Sequence, residues 1–325
     1  MKRFILALDL GGTLIRTARM DPTGHIYERL EEPTHALQGR EVTLPRVIET
    51  LRRVLPEEMS QVAAIGVSVP GPVNPWTGVI ARLTNIPGWE ALPLRDILTR
   101  EFNCPIWLGN DANLAALGEH RFGAGQDVSD MVYMTISTGV GGGIISENRL
   151  LVGTSGLASE LGHMTIEANG PRCVCGNVGC LEVLANGAAV AHRAREYIAQ
   201  GRETLIRDLA GGDVNRITAK LVGEAGHQGD PVAVEIFRTT GFYVGIGIVN
   251  LMHLLNPAKF VLGGGVSKAG ELLFGPIKDT VRERAMSSFS KGVPIVPAAL
   301  RDDVGLLGAL ALVLTNEPNL APAQA

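Results

Sequence analysis

The sequence predicts an α/β protein made of two similar halves with a ligand cleft between them. Three observations carry this. Strand-length apolar runs alternate with stretches at helical spacing in the order strand, strand, strand, helix, strand, helix, and that order occurs twice. Glycine is abundant, at 40 of 325 residues, against an ordinary usage of roughly 7%. The glycines cluster at strand ends, where backbone without a side chain lets a ligand approach.

In the first half, Phe4–Leu10 reads as a buried strand, Gly11-Gly12 as a tight turn and Thr13–Met20 as the returning strand. Asp21-Pro22-Thr23-Gly24 has turn chemistry, and His25–Glu31 suits a third strand. Val47, Ile48, Leu51, Val54 and Leu55 follow helical spacing. Ala63–Val69 is an apolar strand closed by Pro70-Gly71-Pro72. A helix over Leu94–Phe102, a short strand Ile106–Leu108 and a helix from Asn110-Asp111 through Glu119 complete the half. The second half repeats the order. Met131–Ser137 reads as a strand, Gly139–Gly143 as a turn, and Ile144 onward as a strand. Helices follow around Ala188–Ile198 and Val232–Leu255. The strand Phe260–Leu262 empties into Gly263-Gly264-Gly265 before a helix from about Glu271, and Val304–Leu314 is the last helix. The repeat is one of element order, with little self-similarity beyond a glycine-rich hairpin in each half.

Several clusters carry chemistry. In Asp9-Leu10-Gly11-Gly12-Thr13 an acidic residue ends a buried strand and a Gly-Gly turn follows. Glycines let backbone N–H groups close on phosphate oxygens, the Thr13 hydroxyl adds a donor, and Asp9 suits Mg²⁺, directly or through water. An ordinary hairpin has the same pattern. Ser137-Thr138-Gly139-Val140-Gly141-Gly142-Gly143 also lies between two apolar strands, in neither a Rossmann nor a Walker A context. Gly263, Gly264 and Gly265 leave a strand end bare, where a flat adenine fits or where a helix packs tightly. Asn110-Asp111-Ala112-Asn113 sits at a strand-to-helix junction. There an acidic residue is read first as an N-cap and second as a base accepting a hydroxyl proton during phosphoryl transfer.

Cysteine placement is the most specific signal. Cys173, Cys175 and Cys180 fall within eight residues, and His163 lies ten before Cys173. Three thiolates and an imidazole complete a tetrahedral Zn²⁺ with no open position, so the metal is expected to be structural. Glu160 and Glu182 flank the cluster, and a metal that fixes the loop also fixes these carboxylates. Cys104 stands apart and reads as a buried apolar residue.

The bulk properties exclude other classes. Net charge is −4, with no basic block of the kind that tracks nucleic acid. No run approaches 18 uninterrupted apolar residues, so no membrane span is expected. The apolar start is interrupted by Asp9 with no cleavage site after it, so a cytoplasmic location is expected.

Together these residues resemble the ROK family, named for repressors, open reading frames and sugar kinases, over nearly the whole chain. Asp9–Thr13 resembles its first phosphate motif and Asn110–Asn113 its catalytic motif, with Asp111 as the base. Glu160-Leu161-Gly162-His163 and Cys173–Glu182 resemble its signature and zinc loop. Leu255-Asn256-Pro257 with Gly263–Gly265 resembles the segment reaching the adenosine. The resemblance implies the actin-like ATPase fold, ribonuclease H-like and duplicated, with two lobes around a central cleft. The lobes would be residues 1–120, completed by the C-terminal helix at about 304–325, and residues 121–303 with the zinc loop.

The resemblance also implies ATP-dependent phosphorylation of a hexose at its 6-hydroxyl, with glucose first. N-acetylmannosamine or N-acetylglucosamine is the alternative, and a non-catalytic sugar-responsive regulator is the alternative of another class. The sugar would meet Gly71, Asn85, Asn110, Asp111, Glu160, His163 and Glu182. ATP would meet Asp9, Gly11, Gly12, Thr13, Thr138, Gly139, Gly141, Gly263, Gly264 and Gly265. His163 would give one ring nitrogen to zinc and turn the other to the sugar. A homodimer or tetramer is the implied assembly. Two departures are visible. Leu14 stands where members often carry lysine, leaving Arg16 as the nearest cation, and the sequence opens on its first strand, so no helix-turn-helix is expected ahead of it.

Overall fold

A computed structural model of the chain describes residues 3–83, 86–290 and 292–321. The apolar run at the start forms β1 (Phe4–Leu10), which turns back into β2 (Leu14–Met20) and then β3 (Ile26–Pro33). Helix α1 (Arg40–Arg53) carries the chain to β4 (Val62–Val69). Three short strands, β5 (Val73–Asn74), β6 (Val79–Arg82) and β7 (Glu90–Pro93), make a small separate sheet. Helix α2 (Leu94–Phe102), strand β8 (Ile106–Asn110) and helix α3 (Asp111–Phe122) follow. The first large sheet has the order β3-β2-β1-β4-β8, antiparallel among its first three strands and parallel beyond.

The second sheet begins with β9 (Met131–Ile136), β10 (Val140–Ser146) and β11 (Arg149–Leu150). Five helices come next: α4 (Leu181–Ala185), α5 (Gly187–Ala199), α6 (Leu205–Leu209), α7 (Ala219–His227) and α8 (Pro231–Leu255). Strand β12 (Lys259–Gly263), helices α9 (Glu271–Arg284) and α10 (Ser287–Ser290), strand β13 (Ile295–Pro297) and helix α11 (Val304–Asn316) close the chain. The order is β11-β10-β9-β12-β13. Each sheet therefore reads third, second, first, fourth, fifth in its own chain order, with the same mixture of parallel and antiparallel pairs. The duplicated element order in the sequence is a duplicated topology.

Helices α3 and α11 lie between the two sheets. Ile5, Ala7 and Ala64 of the first sheet, Met131, Tyr133 and Val261 of the second, and Leu114, Leu117, Leu306 and Leu310 of the helices form one buried cluster. Glycine makes the approach close. A Cβ at Gly66 would overlap the Ala309 carbonyl, and one at Gly308 the Leu114 carbonyl. Glu119, fully buried on α3, accepts from the backbone N–H groups of Ala124 (2.8 Å), Ala299 (3.1 Å) and Leu300 (2.8 Å). It ties α3 to the turn that launches α11.

Helix α8 is 25 residues long and apolar enough to cross a membrane by length and composition. Most of it is buried, however, among Val190, Phe274 and Ile277 in the core of the second half. Asp230 caps its start by accepting from Ala233 N at 2.8 Å, with Pro231 at the first helical position. Cys104 is half-buried rather than buried, and its surroundings push the thiol up to about 11.

The stretch Gly139–Gly143, expected as a turn, is mostly strand. Gly141, Gly142 and Gly143 pair with Thr135, Met134 and Tyr133 across β9. They are glycine because α3 presses on one face of the strand and the loop carrying Leu161 on the other. Added Cβ atoms would meet Ala112, Leu161 and Ala116 respectively.

Candidate active site

The cleft floor is built where β8 runs into α3. Asn110 adopts extended φ −64°, ψ 140°, and its Oδ1 accepts from Ala112 N at 3.0 Å and Asn113 N at 3.2 Å. Asn110 is therefore the N-cap, the role read first for Asp111. Asp111 becomes the first helical residue. Its Oδ1 also receives the Ala112 N–H, at 2.7 Å. The Asp111 side chain is exposed to the cleft, with the cleft walls close around it. Desolvation raises its pKa to about 6, helped by the negative charges of Asp9 and Glu160 and opposed by the Ala112 N–H. Gly71 stands against Asn110: a Cβ there would lie 2.7 Å from Asn110 Nδ2. The Gly71–Pro72 peptide is cis.

The opposite wall comes from the second sheet and the loop after it. Thr138, Gly139 and Gly141 on the β9–β10 hairpin line the same cleft of about 610 Å³ as Gly71, Asn110 and Asp111, and so do Glu160, His163 and Glu182. The loop is held on β10 at close range, since a Cβ at Gly162 would overlap the Val140 carbonyl. Glu182, in the first turn of α4, accepts from Val140 N at 3.0 Å. A larger hollow of about 810 Å³ between α8 and α9 contains none of the residues singled out in the sequence.

Behind the wall, His163, Cys173, Cys175 and Cys180 converge, with all four donor atoms within 4.8 Å of one another. Cys173 Sγ lies 3.8 Å from His163 Nδ1, and Cys175 Sγ lies 3.7 Å from Cys180 Sγ. Donors on one tetrahedral zinc at about 2.3 Å stand roughly 3.7 Å apart, so the set fits that ion. Using Nδ1 leaves His163 Nε2 outside the cluster, on a ring that lines the cleft.

Other predicted residues lie outside the cleft lining. Asp9 accepts from Ser68 Oγ at 3.0 Å and from Arg16 Nη1 at 3.3 Å. Burial raises its pKa despite those partners. The turn after it is fixed by Gly11 N donating to Leu14 O (2.9 Å), Thr34 N to Thr13 O (2.8 Å) and Thr34 Oγ1 to Gly11 O (2.7 Å), with Gly12 between. Arg16, the nearest cation in sequence, is committed to Asp9 and Glu31. Gly263 and Gly264 have packing reasons to be glycine. A Cβ at Gly263 would lie 2.5 Å from the Tyr133 hydroxyl, and one at Gly264 would overlap the Ile136 backbone. Gly265 is looser, with Ser137 Oγ at 3.6 Å. Asn85 lies outside the described residues.

The cleft also holds Ser137 of the glycine-rich motif and residues that the sequence did not single out: Thr135, Leu157, Ala158 and Ser159. Ser159 has φ 70°, and its Oγ is buried with no partner among the described residues. Its place immediately before Glu160 is the one signal that could have marked it.

Comparison with known proteins gives a consistent set. A family model described as "ROK family" matches residues 5–316. The glucokinase of Halalkalibacterium halodurans is 36% identical, covering 98% of this chain and 97% of its own. The glucokinase of Thermotoga maritima is 34% identical, covering 95% of this chain and 96% of its own. The xylose repressor of Caldicellulosiruptor bescii is 32% identical over 96% of this chain and 78% of its own length. Among solved structures, a ROK family glucokinase from Streptomyces griseus in complex with glucose and AMPPNP matches with TM-score 0.82 and 33% identity, covering 95% of this chain and 98% of that one.

Proposed function

Because the chain belongs to the ROK family, we propose that it is a cytoplasmic ATP-dependent hexose kinase whose first substrate is glucose and whose base is Asp111. Its paired mixed sheets have the actin-like architecture of the family's sugar kinases. The observation that carries the catalytic reading is Asp111 itself. The helix cap is supplied by Asn110, Asp111 holds only the Ala112 N–H on one oxygen, and its pKa of about 6 leaves it ionised near neutrality yet basic enough to take a proton.

In this reading Asp111 accepts the proton of the sugar 6-hydroxyl as that oxygen bonds to the γ-phosphorus. The bond from phosphorus to the bridging oxygen breaks, and ADP leaves with the electron pair. Asn110, with its oxygen used by the cap, offers the sugar its amide N–H groups. Gly71, Glu160, His163 and Glu182 hold the remaining hydroxyls, and Asn85 belongs to the same set. Thr138, Gly139 and Gly141 face the phosphates from one hairpin and Gly11, Gly12 and Thr13 from the other. Gly265 is the best placed of the three glycines after β12 for the adenosine. Asp9 offers one carboxylate, the donor that phosphate-bound Mg²⁺ takes from proteins, and the ion would offset charge on the phosphates. Zinc on His163, Cys173, Cys175 and Cys180 would fix the loop between Glu160 and Glu182.

Residues 1–120 with the C-terminal helix and residues 121–303 are the two bodies that would close on the sugar. An assay coupling ADP release to glucose, mannose, fructose, allose and the N-acetylhexosamines tests the reading. Turnover of glucose is the expected result, and preference for N-acetylmannosamine or N-acetylglucosamine would move the assignment within the family. The kinship with a xylose repressor favours a second reading, a sugar-binding regulator. Tight sugar binding without turnover of any of these sugars would establish that reading and remove the first.

A further inference from the structure

We propose that Glu182 is a positioning residue for the glycine turn on the nucleotide side of the cleft, in addition to its place in the sugar pocket; this rests on the kinase reading above. Glu182 Oε2 accepts the Val140 N–H at 3.0 Å. Gly139, the residue before, is fitted to the same oxygen, because a Cβ there would stand 2.5 Å from it. The turn is held at its other end too: Gly187 N donates to Ser137 O at 2.8 Å. Inside the turn, Ser137 N donates to Gly139 O at 2.8 Å. The segment from Cys180 to Gly187, with α4 at its centre, is thus a bracket whose two ends grip residues 137–140.

The bracket starts at a cluster cysteine. Cys180 belongs to the His/Cys set, Leu181 N donates to Met164 O at 2.9 Å, and Glu182 follows at once. One carboxylate oxygen is used on the turn, which leaves Oε1 for the sugar. A turn that must present N–H groups to phosphate oxygens gains from being fixed beforehand, because ordering a loose loop on binding subtracts from affinity. Sugar pocket and phosphate turn then share one side chain.

The test separates positioning from sugar contact. Glu182→Gln keeps an oxygen that accepts from Val140 N, whereas Glu182→Ala does not. Binding of AMPPNP is titrated by calorimetry without sugar, and KM is measured for ATP and for the sugar. Glu182→Ala is expected to weaken AMPPNP binding and raise the KM for ATP about tenfold, the usual worth of one such hydrogen bond. Glu182→Gln is expected to restore nucleotide affinity to within about threefold while the sugar KM stays raised in both. Gly139→Ala should weaken AMPPNP binding in the native background and add little in Glu182→Ala, where the clashing oxygen is gone. Zinc content and melting temperature confirm that each variant is folded. Native-like or tighter AMPPNP binding by folded Glu182→Ala would overturn the proposal. If the native protein itself binds no AMPPNP, the kinase reading fails first, and the positioning role falls with it.

Discussion

Asp111 shows how one residue shift decides a role. From the sequence it reads first as a helix cap, because acidic residues at strand-to-helix junctions usually are. The adjacent Asn110 takes the cap, with both first-turn N–H groups on its Oδ1. Which of two neighbouring polar residues holds the extended conformation is set by tertiary packing, so the sequence could name the pair but not divide the labour. The pKa of about 6 gives two expectations. The first is an acidic limb in kcat/KM near pH 6, with activity lost as pH falls and Asp111 protonates. Glu160→Gln, which removes one of the negative charges raising that pKa, should move the limb to lower pH in a rate profile.

The second concerns stability. An acid whose folded pKa is raised above its unfolded value favours the folded state most when neutral, so its contribution is full below about pH 4 and is lost as pH rises through 6. Asp111→Asn should therefore abolish turnover, with a loss of 10² or more. It should also be more stable than the native protein at pH 8, by about 1 kcal/mol once solvent in the cleft is allowed for, and so melt higher. That gain should vanish near pH 4, and thermal melts at the two pH values check the sign.

At the scale of elements, the long apolar strands and the helices α2, α5 and α8 were legible because each is strongly periodic and bounded by turn residues. The short strands β5, β6 and β7 were not, since two to four residues amid proline, threonine and glycine carry no period. Helix α4 was hidden for a related reason, having only five residues. The glycines of β10 misled because glycine signals a turn, whereas here it signals close packing. Glu119 was equally invisible, since nothing local marks a buried glutamate as a staple. Glu119→Ala leaves three backbone N–H groups without their acceptor and is expected to cost about 3 kcal/mol or more. Chemical denaturation would read this as a lowered midpoint. The His163, Cys173, Cys175 and Cys180 cluster, in contrast, was legible residue by residue, because ligand spacing is a covalent constraint. Chelation, or Cys175→Ala, should lower melting temperature and sugar affinity together, measured by calorimetry. A fall in stability alone would detach the loop from the pocket.

Across the whole molecule, the sequence disclosed the duplication through element order, and the two sheets repeat it strand for strand. It could not disclose that α3 and α11 would both be enclosed between them, because α11 is apolar nearly all round and the buried run of α3 includes the polar Asn113 and Glu119, so neither helix shows a single apolar face to assign. The cleft is walled from one side by Gly71, Asn110 and Asp111 and from the other by Glu160, His163 and Glu182. Closing those walls over sugar would exclude the water that otherwise competes for phosphate. Small-angle scattering should show a smaller radius of gyration with sugar than without, and an unchanged radius would place any closure in loops alone.

The close crossing of α11 on β4 and α3 has a consequence for anyone seeking a hardier version of this protein. Glycine-to-alanine exchange inside helices is a standard route to thermostability, worth about 0.4–1 kcal/mol where the site has room. Gly308 is such a helical glycine and would head an automated shortlist, yet its missing methyl is the space occupied by the Leu114 carbonyl. Gly308→Ala should lower the melting temperature instead of raising it, as overpacking does by about 1–3 kcal/mol. Directed evolution of this scaffold is best steered to glycines with open space around them, such as Gly201 and Gly229, and there toward asparagine, which tolerates their left-handed backbone.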